Sequence, residues 1–187
     1  MTNKDQSIKF GAQRLSIEDI VDIANGAGAV MNNSAEFNGK IDRGVAFLEA
    51  LLKEDGVIYG VTTGYGDSCT VAIPPELVDE LPLHLTRFHG CGLGDNLTEQ
   101  QVKAVLATRL CSLSQGMSGV THDLLKQIVT LINHDISPRI PEEGSVGASG
   151  DLTPLSYLAA TLIGEREVIY QGVIRPTAEV FAELGIK

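Results

Sequence analysis

The sequence predicts a mainly α-helical fold with a few short β-strands. Apolar residues recur at spacings of three and four through several segments, and clusters of Gly and Pro separate these segments. Hydrophobic residues make up 43% and charged residues 20% of the 187 residues, which is an ordinary globular composition. A chain of this length can bury a sizeable core in one domain, and its composition suggests no domain boundary.

The N-terminal part predicts one strand and two helices. Residues 7–10, SIKF, suit a short strand, and a helix follows with Ser16 as its N-cap and Gly26 as its stop signal. The stretch 32–56 predicts a longer helix with Gly56 at its C-cap, where glycine is common. The apolar side predicted for this longer helix contains Val45, Phe47, Leu48, Leu51 and Leu52.

A loop dense in Gly and Thr, residues 57–76, separates this helix from the next one. Pro74 and Pro75 are placed to open a helix that runs to His89, because proline is tolerated in a first helical turn. The glycine-rich stretch 90–96, GCGLGDN, ends that helix.

Two further helices are predicted from capping signals and apolar spacing. Thr98 and Gln101 have the spacing of a capping box. The apolar residues that follow at helical spacing are Val102, Val105, Leu106 and Leu110. Residues 121–135 form a second amphipathic pattern, and residues 136–150 form a connector rich in Pro and Gly.

The C-terminal part predicts a helix, a hairpin and a last short helix. The helix covers residues 151–165, with Asp151 at its N-cap and Pro154 in its first turn. The hairpin turns at Gln171–Gly172, and the last helix covers residues 176–185.

The charge balance limits the classes of partner. The net charge is −10 and the pI about 4.8, so no nucleic-acid partner is expected. No apolar stretch is long enough for a membrane span, and the N-terminus lacks the apolar core of a signal peptide. The three cysteines lack C-x-x-C spacing and the four histidines lack metal-ligand spacing, so neither disulfides nor a metal site is expected. A reducing cytoplasm is the expected compartment.

Three segments contain residues of types that can take part in catalysis or ligand binding. In GSVGASGD, glycines precede a helix N-terminus, whose unpaired N–H groups favour negative charge. The segment lacks a P-loop lysine, so anion binding is disfavoured, and a plain connector or an unusual backbone bend remains. The other two are Tyr59 in YGVTTGYGDS and His89 in LTRFHGCGLG. Alone, a packed tyrosine and a structural histidine are the commoner interpretations.

Taken together, YGVTTGYG, FHGCGLG, GSVGASGDLTPL and RPTAEVF resemble the aromatic amino acid ammonia-lyases and their aminomutase relatives. The resemblance extends from about residue 40 to nearly the end of the chain. It implies the N-terminal part of the fumarase/aspartase-like helical lyase fold. It also implies that residues 1–187 are the N-terminal domain of a longer enzyme, because other segments typical of the family are absent from this sequence.

The resemblance further implies a prosthetic group made from the chain itself. Ala148, Ser149 and Gly150 would cyclise without another enzyme into 4-methylidene-imidazol-5-one (MIO). The Gly150 nitrogen attacks the Ala148 carbonyl and water is lost, in a loop that glycine at positions 147 and 150 allows to bend. The resulting ring is an electrophile that accepts the substrate amine, and no metal is implied.

The same resemblance assigns roles around the substrate. Tyr59 is implied as the base that removes the β-proton. The loop residues implied to cover the substrate are Thr62, Thr63 and Gly66. Phe88 and His89 match the two positions that discriminate among aromatic rings, and this pair is a mixture of the known types. His89 favours a polar ring, so histidine or tyrosine is expected rather than phenylalanine.

The implied reaction is the non-oxidative elimination of ammonia from an aromatic L-amino acid, which gives the trans-α,β-unsaturated acid. The full-length enzyme is expected to be a cytoplasmic homotetramer whose active sites draw on more than one subunit. An MIO-dependent aminomutase, which starts from the same adduct, stays open as an alternative. So does a truncated helical module without activity of its own.

Overall fold

The computed structural model describes residues 7–54, 57–71, 73–78, 80–147 and 150–186. Its helices are α1 (Ile17–Ala24), α2 (Ala35–Lys53), α3 (Leu81–His89), α4 (Glu99–Leu113), α5 (His122–Asn133), α6 (Leu152–Leu162) and α7 (Thr177–Leu184). Its strands are β1 (Ser7–Phe10), β2 (Gly28–Met31), β3 (Leu93–Asn96), β4 (Ser137–Pro138), β5 (Pro141–Glu143), β6 (Glu167–Tyr170) and β7 (Val173–Pro176). The predicted mainly α fold with a few short strands is therefore confirmed.

The N-terminal unit is a parallel strand pair with a helix as its crossover. β1 pairs with β2 from Ser7 opposite Gly28, and α1 connects them. The side chain of Asn133, at the end of α5, completes the pairing of β2. The Ala29 N–H donates to Asn133 Oδ1 over 2.8 Å, and Asn133 Nδ2 donates to the Ala29 carbonyl over 2.9 Å. This one amide joins the strand pair to the helical core.

The core lies where α4 and α5 pack together, with α1 against α4. Its fully buried side chains include Leu106, Leu110, Leu125, Ile128 and Leu131. The predicted capping box at the start of α4 is present, because Thr98 Oγ1 accepts from Gln101 N–H and Gln101 Oε1 accepts from Thr98 N–H. The predicted N-cap Ser16 also holds, as its hydroxyl accepts from Asp19 N–H.

Two antiparallel sheets flank the helices. β3 pairs with β5, and β4, β6 and β7 form a three-stranded sheet. The turn between β6 and β7 falls at Gln171 and Gly172, whose φ angles are 53° and 74°. Positive φ at both central residues is the conformation that two-residue hairpins prefer, so the predicted hairpin is confirmed.

The predicted apolar side of α2 is wrong at two positions. Phe47 is 70% exposed and Leu52 is 37% exposed, whereas the buried residues of α2 are Phe37 and Ile41. The N-terminal half of α2 packs on the core, and the C-terminal half extends beyond it. The predicted C-cap Gly56 lies outside the described residues.

Other predictions differ in their boundaries. α3 begins at Leu81, because a 3₁₀ turn at Pro75–Leu77 precedes it. The sequence does not predict strands β2, β3, β4 and β5, since each pairs with a segment that is distant in sequence and forms only through the tertiary fold. Among the described helices, none combines the length and the apolar character that a bilayer crossing requires.

Candidate active site

A cavity of about 610 Å³ lies between α3, α4, α5, α6 and the loop at residues 57–71. Much of its wall is apolar, with Leu113, Ile128 and Leu155 among the contributing residues. The polar and aromatic side chains on the wall are Tyr59, Tyr65, His89 and Arg109, and Gly150 also lines it. An apolar cavity with a few convergent polar groups is typical of a small-molecule site.

The loop around Tyr59 is folded back on itself. The Tyr59 hydroxyl oxygen accepts a hydrogen bond from the Gly66 N–H at 2.8 Å, although Tyr59 as a whole is 62% exposed. Gly60 and Gly66 have φ angles of 72° and 57°, which favour glycine. The loop therefore holds the phenol oxygen at a defined place at the edge of the cavity.

Two threonine hydroxyls hold the same loop through hydrogen bonds to its backbone. Thr63 is 2% exposed, and its hydroxyl accepts from Gly60 N–H at 3.1 Å and donates to the Gly64 carbonyl at 2.9 Å. The Thr62 hydroxyl accepts from Ile58 N–H at 2.8 Å. These threonines hold the loop backbone, and neither lines the cavity.

Four aromatic rings form a row, and three of them, Tyr59, Tyr65 and His89, line the cavity. The Tyr59 and Tyr65 centroids are 6.0 Å apart, those of Tyr65 and His89 are 5.6 Å apart, and those of Phe88 and His89 are 5.1 Å apart. A side chain at Gly60 would overlap the Tyr65 ring. Glycine at position 60 therefore lets Tyr65 stand between Tyr59 and the end of α3.

The charge in the cavity comes from Arg109. Burial raises the pKa of the Tyr65 phenol, the neighbouring phenol of Tyr59 raises it further, and the positive charge of Arg109 opposes both. Loss of hydration lowers the pKa of the Arg109 guanidinium, which still stays protonated near neutral pH. Within the described part of the chain, no carboxylate acts on the pKa of Arg109.

The glycine run reaches the cavity at Gly150, while Ala148 and Ser149 lie outside the described residues. Among the described residues, a side chain at Gly147 or at Gly150 would meet no atom within 4 Å, and Gly147 has a φ angle of 69°. Asp151, with φ 37°, begins α6 without a side-chain capping bond. Its Oδ1 is buried and has no hydrogen-bond partner within the described ranges. Space and an unpaired acceptor beside the tripeptide fit the formation of the ring.

The sequence-predicted site residues are partly brought together. Tyr59, Gly66, His89 and Gly150 line one cavity, whereas Phe88 does not line it and is 76% exposed.

Sequence reasoning missed Tyr65 and Arg109. Both residues have a recognisable feature in the sequence. Tyr65 repeats the Tyr-Gly pair of Tyr59. Arg109 is a charged residue in α4 directly before Leu110, which is fully buried. Among the described residues, no group of three or more His, Cys, Asp or Glu side chains could hold a metal ion.

Comparisons with known proteins agree with this arrangement. The family model described as aromatic amino acid lyase matches residues 15–187. The histidine ammonia-lyase of Bacillus velezensis is 42% identical over 154 residues, which cover 82% of this chain and 30% of that protein.

Solved structures of two relatives are also similar. The tyrosine aminomutase from Streptomyces globisporus has a TM-score of 0.86 at 34% identity, with 97% of this chain and 34% of that chain covered. Ergothionase from Treponema denticola has a TM-score of 0.90 at 26% identity, with 97% and 36% covered. The chain thus spans about a third of the length of these relatives.

The family match begins before α1 and continues through the loop of Tyr59, the end of α3 and the glycine run. It includes the segments that line the cavity. The structural similarity supports the helical lyase fold that the sequence resemblance implied. This chain belongs to the aromatic amino acid lyase family, and its fold is the N-terminal part of that family's helical fold.

Proposed function

We propose that this chain is the N-terminal portion, residues 1–187, of an enzyme that eliminates ammonia from an aromatic L-amino acid without oxidation and releases the trans-α,β-unsaturated acid. The observation that carries the proposal is the single cavity lined by Tyr59, His89 and Gly150. A base, a ring-recognising group and the end of the ring-forming tripeptide are the parts that this reaction needs. The family membership supports the same reaction class.

The proposed prosthetic group is MIO, formed from Ala148, Ser149 and Gly150. It supplies an electrophile that takes the substrate's amino group and makes it a better leaving group. Gly147 and Gly150 leave room for the bend, because nothing lies within 4 Å of a Cβ placed at either residue. The Gly150 nitrogen must lose its proton as it bonds to the Ala148 carbonyl carbon, whose oxygen leaves as one water, and the Ser149 hydroxyl leaves with the hydrogen of its α-carbon as the second. Asp151 is the next residue, and its buried Oδ1, which has no hydrogen-bond partner among the described residues, is the proposed acceptor of that proton.

Tyr59 is the proposed base. Its oxygen removes the proton from the carbon next to the substrate ring, and the electron pair left there forms the double bond as ammonia leaves. The Gly66 N–H, which points at this oxygen over 2.8 Å, stabilises negative charge on it before the proton moves. The loop threonines keep this geometry by holding the backbone around Gly60.

His89 is the proposed ring-discriminating residue, with Phe88 beside it. An imidazole in a largely apolar wall pairs well with a ring that carries a donor or acceptor. A substrate without such a group leaves the imidazole unpaired, which a hydrogen-bonding site penalises. Histidine or tyrosine is therefore favoured as the substrate over phenylalanine.

Amine migration is a second candidate for the outcome of the reaction. The similar structure of a tyrosine aminomutase, at 34% identity, is the observation that favours it. The same residues serve both reactions, because both remove the amine and the β-proton first. Re-addition of the amine at the neighbouring carbon then separates the aminomutase from the lyase.

The proposed working form is a homotetramer in the cytoplasm, with an aromatic amino acid as its small-molecule partner. Large apolar side chains on the surface, such as Phe47 at 70% and Phe88 at 76% exposure, are available for burial by further chain or by other subunits. The free state of Cys69, Cys91 and Cys111 fits a reducing compartment.

The test uses the full-length polypeptide that contains this chain. Histidine, tyrosine and phenylalanine are supplied separately, and the absorbance of urocanate, coumarate or cinnamate is followed with ammonia release. Intact-mass measurement should show the loss of two water molecules. Absence of any unsaturated acid and of any β-amino acid product, in a protein with the mass of its unmodified sequence, would contradict the proposal.

A further inference from the structure

The segment directly after His89 is held by an arginine in an unusual backbone conformation. Arg166 lies between α6 and β6 with a φ angle of 62°, a region that favours glycine. A non-glycine residue there is strained and persists only where its surroundings compensate. The surroundings do so here, because the Thr177 N–H and hydroxyl both donate to the Arg166 carbonyl at 2.9 Å. Thr177 is fully buried, so this anchor fixes the direction of the Arg166 side chain.

The guanidinium of Arg166 contacts the turn that ends α3. Its Nη2 donates to the Gly90 carbonyl at 3.2 Å. It also occupies the space where a side chain on Gly90 would begin, so glycine at position 90 is required for the contact. Gly90 follows His89 in the chain. The position of the His89 backbone therefore depends on this contact.

The same guanidinium stacks on Tyr157 of α6. Its central carbon lies 4.3 Å from the Tyr157 ring centroid, a cation–π geometry. The Tyr157 hydroxyl in turn accepts a hydrogen bond from the Gly92 N–H at 3.0 Å, and Tyr157 is only 8% exposed. One arginine and one tyrosine thus bind the turn at 90–92 from two sides and tie it to α6.

α6 begins directly after Gly150 and Asp151, at the end of the ring-forming tripeptide. The helix that holds Tyr157 therefore also fixes one end of the proposed prosthetic group. The Arg166–Tyr157 pair sets how far His89 stands from that end of the cavity. The ion pair of Arg87 with Glu165, next to Arg166, strengthens the same connection between α3 and the end of α6.

We propose that Arg166 is a positioning residue for substrate discrimination, which acts by holding the turn at residues 90–92 and so fixes His89 in the cavity. This inference rests on the proposed function, in which His89 reads the substrate ring. It assigns to Arg166 no contact with the substrate itself. Its loss changes which aromatic amino acid is preferred more than it changes the rate of the chemical step.

The test compares variants of the full-length enzyme. Arg166→Gly removes the side chain and suits the positive φ, so the backbone there is relieved of strain and the variant should still fold. Arg166→Met keeps the length of the side chain, and Arg166→Lys keeps a donor without the planar face. Arg175→Met is the matched control, because Arg175 lies in β7 and its guanidinium pairs with Glu183 at 2.6 Å.

Three readouts are measured on each variant. The ratio of kcat/KM for histidine and tyrosine should change about tenfold in Arg166→Gly and Arg166→Met, the scale of one lost charged hydrogen bond. Most of the change should lie in KM, and the mass loss of two water molecules should remain. Hydrogen exchange of a peptide over residues 88–94 should become faster. Arg166→Lys should restore part of the ratio, and Arg175→Met should leave all three readouts as in wild type.

An unchanged substrate ratio in Arg166→Gly and Arg166→Met, in an active enzyme, overturns the inference whatever the exchange rate does. A lower melting temperature with an unchanged ratio overturns it as well, since it indicates a purely structural role. If wild type releases no ammonia and migrates no amine with any aromatic amino acid, the proposed function fails, and the role of Arg166 fails with it. The two failures are therefore distinguished by the activity of the wild-type enzyme.

Discussion

The Tyr59 phenol oxygen accepts a hydrogen bond from the Gly66 backbone N–H at 2.8 Å, and this bond closes the loop between the two residues. It places a partial positive charge against the oxygen that must carry negative charge when Tyr59 acts as a base. The loop thus contains both the proposed base and the N–H group proposed to stabilise it.

Tyr59→Phe removes this oxygen and leaves the ring packing with Tyr65 intact. Turnover should fall by about 10²–10⁴-fold, the usual contribution of a positioned general base, while the two-water mass loss remains. Steady-state kinetics and intact-mass measurement test this. Tyr170→Phe is the control, because Tyr170 lies in β6 and does not line the cavity. A Tyr59→Phe enzyme with near-normal turnover would remove Tyr59 from the proposed role.

Ser149→Ala should prevent formation of the prosthetic group, since alanine has no hydroxyl to lose as water. The variant of the full-length enzyme should have the mass of its unmodified sequence, and elimination should fall to background. Intact-mass measurement and absorbance assays follow the two effects separately. Full turnover in an unmodified Ser149→Ala protein would show that the reaction does not need the ring.

Arg109→Met should move the titration of Tyr65 to higher pH. Burial raises the pKa of Tyr65 and the charge of Arg109 opposes the rise, so removing the charge raises it further. Phenolate absorbance during an alkaline titration measures this, and Tyr65→Phe identifies the contribution of Tyr65. A titration of Tyr65 that stays in place or moves to lower pH in Arg109→Met would contradict the electrostatic account.

The raised pKa of Tyr65 determines the direction in which the free energy of unfolding changes with pH. The unfolded tyrosine ionises at about pH 10, while the folded Tyr65 stays neutral to higher pH because its pKa is raised. The contribution of Tyr65 to the free energy of unfolding should be fully present below about pH 10 and decline as pH rises toward the folded pKa. Urea denaturation across this range should show a smaller decline in Tyr65→Phe.

Gly60→Ala should destabilise the loop more than Gly66→Ala does. Both residues have positive φ, so each substitution carries backbone strain of about 1–2 kcal/mol. Only at Gly60 does the added carbon overlap the Tyr65 ring, whereas nothing lies within 4 Å of it at Gly66. Adding Tyr65→Ala should relieve part of the Gly60→Ala effect. Equal effects of the two alanines on thermal unfolding would argue against the overlap.

Leu106→Ala should lower the free energy of unfolding by about 2–5 kcal/mol, because Leu106 is fully buried in the α4–α5 core. Leu93→Ala is the matched control, since Leu93 is 70% exposed and its truncation leaves little cavity. Urea denaturation compares the two variants. A loss at Leu106 no larger than at Leu93 would contradict the described core.

The parts of the fold that local chemistry decides could be predicted from the sequence. Ser16 and Thr98 cap the helices they precede, because their hydroxyls bond to backbone N–H groups three residues away. The exposure of Phe47 could not be predicted, since helical spacing gives a stripe but not the length of helix that the core covers. Strand β2 escaped prediction because its partners, β1 and Asn133, are distant in sequence.

Some features of the candidate site could likewise be predicted from the sequence, and others could not. The resemblance gave the positions of Tyr59, His89 and Gly150, which line one cavity. The proximity of Arg109 and Tyr65 arises only when α4 meets the loop, so no local pattern reveals it. The 76% exposure of Phe88 also depends on which residues surround the end of α3.

The amide of Asn133 has a consequence for the ageing of this protein. It donates to and accepts from the Ala29 backbone at once, which a carboxylate cannot do. Spontaneous deamidation at this position would set a negatively charged oxygen against the Ala29 carbonyl. Chemical damage at this one side chain would therefore weaken the attachment of the first strand pair to α5.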